Sequence, residues 1–211
     1  MDGDRQEMLA RLRQGGVSDP RVLQAMEAVP REQFVAQEER IEAYADRALP
    51  IGYGQTISQP LMVALMVEAL ELQPGDTALD VGTGSGYQAA VMAACGAHVV
   101  SVERIPGLAD EAVARFSSLG YGVEVVLGDG SLGVPERAPF DAIAVGAAAP
   151  RLPIALARQL RDGGRLVVPI TGGPNGEELT RLRLAEGRWV TESLGPCRFV
   201  PLIGEDAYAD A

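Results

Sequence analysis

The stretch Leu79-Asp-Val-Gly-Thr-Gly-Ser-Gly-Tyr87 decides the fold. It continues a short apolar run, Thr77-Ala-Leu-Asp-Val81, of strand length, and it opens an amphipathic stretch over 86–95. A strand, a glycine turn and a helix in that order form the first unit of an α/β fold built around a ligand. The glycines let the ligand approach the backbone and present the helix N-terminus to it. The spacing is G-x-G-x-G rather than the G-x-G-x-x-G of dinucleotide binders. An acid, Asp80, also stands in the strand end just before the turn. A carboxylate there is a poor neighbour for a pyrophosphate and a good one for an ammonium or sulfonium group.

The same rhythm continues downstream. Strands are predicted at 77–81, 98–103, 123–127, 140–145 and 165–170, with helices over 86–95, 107–119 and 152–160. Strands alternating with helices imply a doubly wound, mostly parallel sheet of Rossmann-like type. The runs Glu178–Leu184 and Arg188–Arg198, separated only by Ala185-Glu-Gly187, predict an antiparallel hairpin at one sheet edge. Upstream, 4–14 has helical spacing and ends at Gly15-Gly16. Asp19-Pro20 supplies a helix cap and first residue for a second helix through Ala28. Residues 31–54 read as loop-rich, anchored by Phe34, Tyr44 and Leu49, before a helix over 60–72. One domain over 1–211 is expected, with N-terminal helices and a substrate loop (1–58), a cofactor-binding core (59–170) and a C-terminal hairpin and tail (171–211).

Composition narrows the partners. The 211 residues carry 29 acidic and 18 basic side chains, a net charge of −11, and every basic residue is arginine. With no basic stripe, such a surface repels a phosphate backbone, which argues against nucleic acid. Cys95 and Cys197 are too few and too far apart for a disulfide framework or a metal site, and they suggest a reducing, cytoplasmic compartment. The charged N-terminus is unlike a signal peptide, and no apolar run approaches the roughly 20 residues of a membrane span. A soluble monomer is expected.

In a doubly wound sheet the ligand lies beyond the carboxyl ends of the strands. There the chain places Asp80 with Gly82, Thr83 and Gly84, then Glu103, suited to ribose hydroxyls, then Asp129-Gly130, suited to an adenine edge. Taken singly, each acid has an ordinary reading: Asp80 as a turn cap, Glu103 as a solvated strand end, Asp129-Gly130 as a turn pair. Three acids around one glycine loop favour a cationic adenosyl ligand, S-adenosylmethionine, over a nicotinamide cofactor.

The acceptor is narrowed by what is missing. No Asp/Asn-Pro-Pro-Tyr/Phe motif follows the fourth core strand, where the chain reads Val145-Gly-Ala-Ala-Ala-Pro150. The single Pro-Cys pair, Pro196-Cys197, lies in the tail hairpin and reads as a buried thiol, and His98 begins a core strand. Without an evident base, an acceptor that is already anionic fits best, since a carboxylate needs only alignment and desolvation. The side chains of Gln55, Thr56, Ser58 and Gln59 are suited to orient one, although Ser58-Gln59-Pro60 also reads as a helix cap.

The stretches Ala43 to Pro60, Leu79 to Tyr87, Ala138 to Pro150 and Phe199 to Gly204 together resemble the protein-L-isoaspartate (D-aspartate) O-methyltransferases. The likeness covers about residues 20–206, and Leu49 to Pro60 is close to a family signature. It implies methyl transfer from S-adenosylmethionine, leaving S-adenosylhomocysteine, to the free carboxylate of L-isoaspartyl or D-aspartyl residues in damaged proteins. It marks Ser58 as the active-site residue. It puts the cofactor at Thr56, Ile57, Ser58, Gln59, Asp80, Gly82, Thr83, Gly84, Glu103, Asp129 and Gly130. It puts the substrate peptide at Ile51, Gly52, Tyr53, Gly54 and Gln55, at Ala148, Ala149 and Pro150, and at Val200 and Leu202; no metal is implied. Two departures stand out: Met62 replaces a common aromatic or histidine, and Pro106-Gly107 loosens the start of the helix after Glu103. Competing readings are a peptide-tailoring aspartate O-methyltransferase and a non-catalytic nucleotide-binding module. The chain's only asparagine, Asn175, precedes Gly176, a deamidation-prone pair and a conceivable self-substrate that reads first as a tight turn.

Overall fold

The computed structural model describes residues 2–173 and 176–210, so the Asn175 of the deamidation-prone pair lies outside the described residues. Seven strands form the main sheet: β3 (Thr77–Val81), β4 (His98–Glu103), β5 (Glu124–Leu127), β6 (Phe140–Val145), β7 (Leu160–Gly173), β8 (Gly176–Ala185) and β9 (Arg188–Cys197). Their order is β5-β4-β3-β6-β7-β8-β9, parallel from β5 through β7 and antiparallel across β7-β8-β9. The chain winds from β3 out to β5 and then returns to β6 on the other side of β3. The topological switch point therefore lies between β3 and β6, where a doubly wound sheet opens a crevice.

Helices α1 (Asp2–Gln14), α2 (Pro20–Ala28), α3 (Pro60–Ala69), α4 (Tyr87–Ala94) and α5 (Pro106–Leu119) feed one large core through Met8, Leu12, Met26, Val63, Met66, Val91 and Phe116. The opposite sheet face is covered by α6 (Ile154–Ala157) and the C-terminal tail, with Val134, Leu156 and Leu202 packed on Ile143 and Val168. Asp19 caps α2 as its residue type predicts, accepting from the Arg21 N–H at 2.8 Å, with Pro20 as first residue.

Three expectations need correction. Residues 31–54 are not simply loop: two 3-10 turns lead into a small antiparallel hairpin, β1 (Leu49–Gly52) with β2 (Gln55–Ile57), turning at Tyr53 and Gly54 with positive φ. The pattern hid it because two short strands carry too few alternations to register. The helix expected over 152–160 is only α6, and β7 starts at Leu160. The Gln159 backbone has turned out to pair with β6, its carbonyl accepting from the Phe140 N–H at 2.8 Å. Finally, Ser58-Gln59-Pro60 does not cap α3 with a side chain of its own. The cap is Asp46, whose carboxylate accepts from the Leu61 N–H at 3.0 Å from fifteen positions upstream.

Candidate active site

At the switch point Gly82, Gly84 and Gly86 all hold positive φ, a conformation open to glycine and costly for other residues. A Cβ on Gly86 would run into the Phe116 ring at 2.7 Å, so this glycine also lets α4 settle against α5. The loop so formed exposes the start of α4 to the crevice.

Asp80 is fully buried under this loop, accepting from Gln88 Nε2 at 2.8 Å and from Ser101 Oγ at 2.7 Å. Thr83 Oγ1 lies 2.6 Å from Ser101 Oγ, so Thr83 supports Asp80 through the serine. Burial pushes the Asp80 carboxyl up to about 6, against the two donors and with a push from Glu103. A nearby cation would restore the charged form, which is the response expected of an anion waiting for a cationic ligand.

Glu103 ends β4 with both carboxylate oxygens held by backbone: Gly84 N–H donates to Oε2 at 2.8 Å and Ile105 N–H to Oε1 at 2.9 Å. It is 5% exposed, not a solvated strand end, and it faces the crevice with lone pairs to spare. Asp129 behaves differently. Ser131 N–H and Oγ donate to its Oδ1 and Glu205 N–H to its Oδ2, so the turn-cap reading holds for this acid. Burial, which opposes its charge, is outweighed by these donors and the carboxyl is held below the usual range. The crevice wall is Gly130, where a Cβ would strike Val81 Cγ1 at 2.8 Å.

Three adjoining cavities fill the crevice, and Thr56 and Gly146 line all of them. The first runs between the glycine loop, Glu103, Ile105 and the tail residues Val200 and Leu202, with Gln55 on its edge. The second lies over the start of α4 and is walled by Ile57, Ser58, Thr83 and Gln88. The third, of 170 Å³, opens between Ser58, Gln59, Met62, Cys197, Arg198 and Phe199. Ser58 thus forms the partition between the cavity beside the glycine loop and the one facing the tail. Its hydroxyl makes no hydrogen bond among the described residues, so it remains available as a donor.

The sequence-predicted substrate positions separate on this map. Val200 and Leu202 line the crevice. Ala148 and Ala149 do not; both are buried in ladders, the Ala148 N–H donating to the Val200 carbonyl and the Leu202 N–H to the Ala148 carbonyl, each at 2.8 Å. They hold the tail against the sheet, and Pro150, like them, lines none of the three cavities. Ile51 sits over the glycine loop, its Cδ1 3.3 Å from where a Gly84 Cβ would stand. Tyr53, 59% exposed, lays its hydroxyl on Gly107, whose missing side chain makes that contact possible. With Gly52 and Gly54 at its turn, the tip of the hairpin lies over the glycine-loop side of the crevice, while Thr56 on β2 reaches all three cavities. Pro106-Gly107 is accordingly no loosening of α5: Pro106 occupies a first-turn position where no N–H is needed, and Gly107 seats Tyr53. Cys197 is only half-buried and lines the third cavity, yet burial, then Glu177 and Glu178, push its thiol up to about 12, which disqualifies it as a nucleophile.

Sequence reasoning missed Gly146, Ser101, Gln88 and Arg198. Gly146 follows β6 and donates its N–H to the Val81 carbonyl at 2.8 Å, placing it on the switch point. The strand order would have singled it out. Arg198 is exposed on the third cavity and makes no ion pair among the described residues, bringing positive charge to a site suited to an anion.

Comparison with known proteins accords with this geometry. The sequence profile of the family described as "Protein-L-isoaspartate(D-aspartate) O-methyltransferase (PCMT)" matches residues 3–207. A protein-L-isoaspartate O-methyltransferase of Roseiflexus sp. (strain RS-1) is 53% identical over 206 residues, covering 97% of this chain and 94% of that one. One from Koribacter versatilis (strain Ellin345) is 49% identical over 210 residues, covering 99% and 94%. Among solved structures, a protein-L-isoaspartate O-methyltransferase superposes with a TM-score of 0.86 at 31% identity, covering 96% of this chain and 67% of that one. A Plasmodium falciparum protein described under the same activity, in complex with S-adenosyl-L-homocysteine, gives 0.81 at 27%, covering 94% and 98%. With its switch-point crevice, its glycine loop and its near-complete match to such proteins, this chain belongs to the protein-L-isoaspartate(D-aspartate) O-methyltransferase family.

Proposed function

We propose that the protein is an S-adenosylmethionine-dependent repair enzyme that esterifies the free carboxylate of L-isoaspartyl and D-aspartyl residues in damaged proteins, with Ser58 orienting that carboxylate. The observation that carries the role of Ser58 is its unengaged hydroxyl on the partition between two cavities. The donor set fits the cofactor: positive-φ glycines leave room for it, Glu103 offers lone pairs for ribose hydroxyls, and buried Asp80 favours a cation. S-adenosylmethionine supplies, when bound, a methyl group on a cationic sulfur.

The chain's own residues do the rest. Thr56 and Ser58 donate to the acceptor carboxylate and fix its approach, and Gln59 and Arg198 attract it into the third cavity. Val200, Leu202 and the β1–β2 hairpin exclude water, which strips hydration from the acceptor. No general base is required, because the acceptor arrives ionised. The methyl ester formed is a better electrophile than the carboxylate. The following backbone nitrogen closes a succinimide and releases methanol, and hydrolysis of the ring returns part of the material to normal aspartate.

Residues 1–211 act as one catalytic unit, because Asp46, from the N-terminal part, caps the helix that follows Ser58. The net charge of −11 disfavours nucleic acid as partner. No helix among the described residues is long and apolar enough to cross a membrane, and the free thiols of Cys95 and Cys197 suit the cytoplasm. The test is methylation with labelled S-adenosylmethionine of paired peptides that differ only in isoaspartyl against aspartyl at one position. Label on the isoaspartyl peptide alone is expected; equal label on both, or none on either, refutes the proposal.

A further inference from the structure

The Ser58-Gln59-Pro60 turn has no side-chain cap of its own, with Gln59 in an extended conformation at φ −57° and ψ 147°. Something else must fix it. Two long-range contacts do so, one on each side. Before the turn, Arg31 Nη2 donates to the Ser58 carbonyl at 2.7 Å. After it, Asp46 accepts from the Leu61 N–H at 3.0 Å. Arg31 is 0% exposed, in a 3-10 turn after α2, and its Nε donates to the Ala43 carbonyl at 2.7 Å. Its guanidinium lies 4.7 Å from the centroid of the Tyr87 ring, and Tyr87 is the first residue of the glycine-loop helix. Ser58 and Tyr87 line the same cavity, so one buried cation braces both walls from behind.

The expense of this arrangement is itself informative. No carboxylate forms an ion pair with Arg31 among the described residues, and its Nη1 is buried without a hydrogen-bond partner. A buried cation held by two carbonyls, the Tyr87 side chain and the more distant charge of Asp46 stabilises a fold poorly, and an apolar side chain of similar volume would often do better. A planar fork that reaches two carbonyls while stacking on an aromatic ring is something arginine provides and lysine does not.

We propose that Arg31 is a positioning residue for the methyl-transfer step, clamping with Asp46 the backbone of the Ser58 turn so that the hydroxyl stays aimed at the acceptor carboxylate. The inference rests on the role given to Ser58, and the test separates the two. Turnover of an isoaspartyl peptide and calorimetric S-adenosylmethionine binding are measured for Ser58→Ala, Arg31→Met, Arg31→Lys, Asp46→Ala, and each clamp variant combined with Ser58→Ala. Arg31→Met is expected to lower kcat about tenfold and Asp46→Ala about threefold, with cofactor Kd within about twofold of the parent. In the Ser58→Ala background either change costs less than about twofold more, because residues acting through one group are not additive. Arg31→Lys is expected to recover little of the loss.

Multiplicative losses in the double variants, or a cofactor Kd that rises in step with the fall in kcat, overturn the clamp while leaving Ser58 intact. Normal turnover by Ser58→Ala removes the role of Ser58, and the clamp with it. Should Arg31→Met fail to fold, Arg31→Lys and the exposed Asp46→Ala decide by the same criteria.

Discussion

The two sides of the crevice are built by opposite means. On the glycine-loop side, geometry comes from a few consecutive residues: glycines at 82, 84 and 86 turn the chain, and the Gly84 N–H on that turn fixes Glu103 at 2.8 Å. On the side proposed for the acceptor, the turn that carries Ser58 has almost no local support and takes its shape from Arg31 and Asp46, 27 and 15 positions from the atoms they hold. A locally coded site survives as long as its strand and helix do. A site clamped from afar depends on how the whole N-terminal segment packs, and it offers more places for a single change to disturb chemistry without disturbing binding.

The sharpest way to break this contrast is Glu103→Ala. Two backbone N–H groups would be left without their acceptor and a ligand contact would be removed. Cofactor affinity should fall by about 2–3 kcal/mol, roughly 30- to 150-fold in Kd by calorimetry. A variant that bound normally would show that Glu103 only buttresses the loop.

Asp80→Asn tests the same side through stability. The folded-state carboxyl is raised to about 6 from a reference of 3.8, so its ionised form costs the fold. That cost is absent below about pH 3.8, grows between the two values and is constant above about pH 6. Replacing the carboxylate should stabilise the ligand-free protein by up to roughly 3 kcal/mol at pH 7.5. The gain should vanish near pH 4 while cofactor binding weakens. Urea denaturation at the two pH values measures it, and equal destabilisation at both would contradict the assignment. For the parent protein, cofactor affinity should drop as pH falls below about 6, because a proton then competes with the cationic ligand for Asp80.

Ser58→Ala addresses the acceptor side. Loss of one hydrogen bond to a charged group should cost about 1.5–2 kcal/mol in kcat, roughly 10- to 30-fold, with cofactor Kd unchanged. Unchanged turnover would leave Thr56 as the main orienting donor. The smallest effect is expected at the lid: Tyr53→Ala removes an exposed ring from α5 and should raise the cofactor KM by about threefold, near 0.6 kcal/mol, without altering kcat. A fall in kcat instead would place Tyr53 and the hairpin tip on the acceptor side, where the sequence expectation had them.

Much of the fold was legible because its signals are local. Strand β3 was read from an apolar run, α2 from Asp19-Pro20, and the tail hairpin from Ala185-Glu-Gly187. The β1–β2 hairpin and the early start of β7 were not, since neither is decided by its own residues. Leu160 joins the sheet because β6 is already there to pair with it. The same division runs through the site. The glycine loop, Asp80 and Glu103 could be named from spacing alone, and Ser58 from the resemblance. The ladder positions of Ala148 and Ala149 were not legible, because a ladder residue and a cavity residue look alike when the partner strand is unknown.

What the sequence alone determined, then, is the glycine-loop scaffold, for backbone conformations available to glycine and acids at strand ends are properties of neighbouring residues. Only the tertiary structure decided that Gly146 lines all three cavities of the crevice, that Asp129 ties down the tail while Asp80 stays buried and primed, and that Arg31 and Asp46 hold the Ser58 turn. Each of these depends on contacts between segments fifteen or more residues apart. Such contacts are chosen by packing and by the need to satisfy buried polar groups, and neither is written in any one stretch of chain.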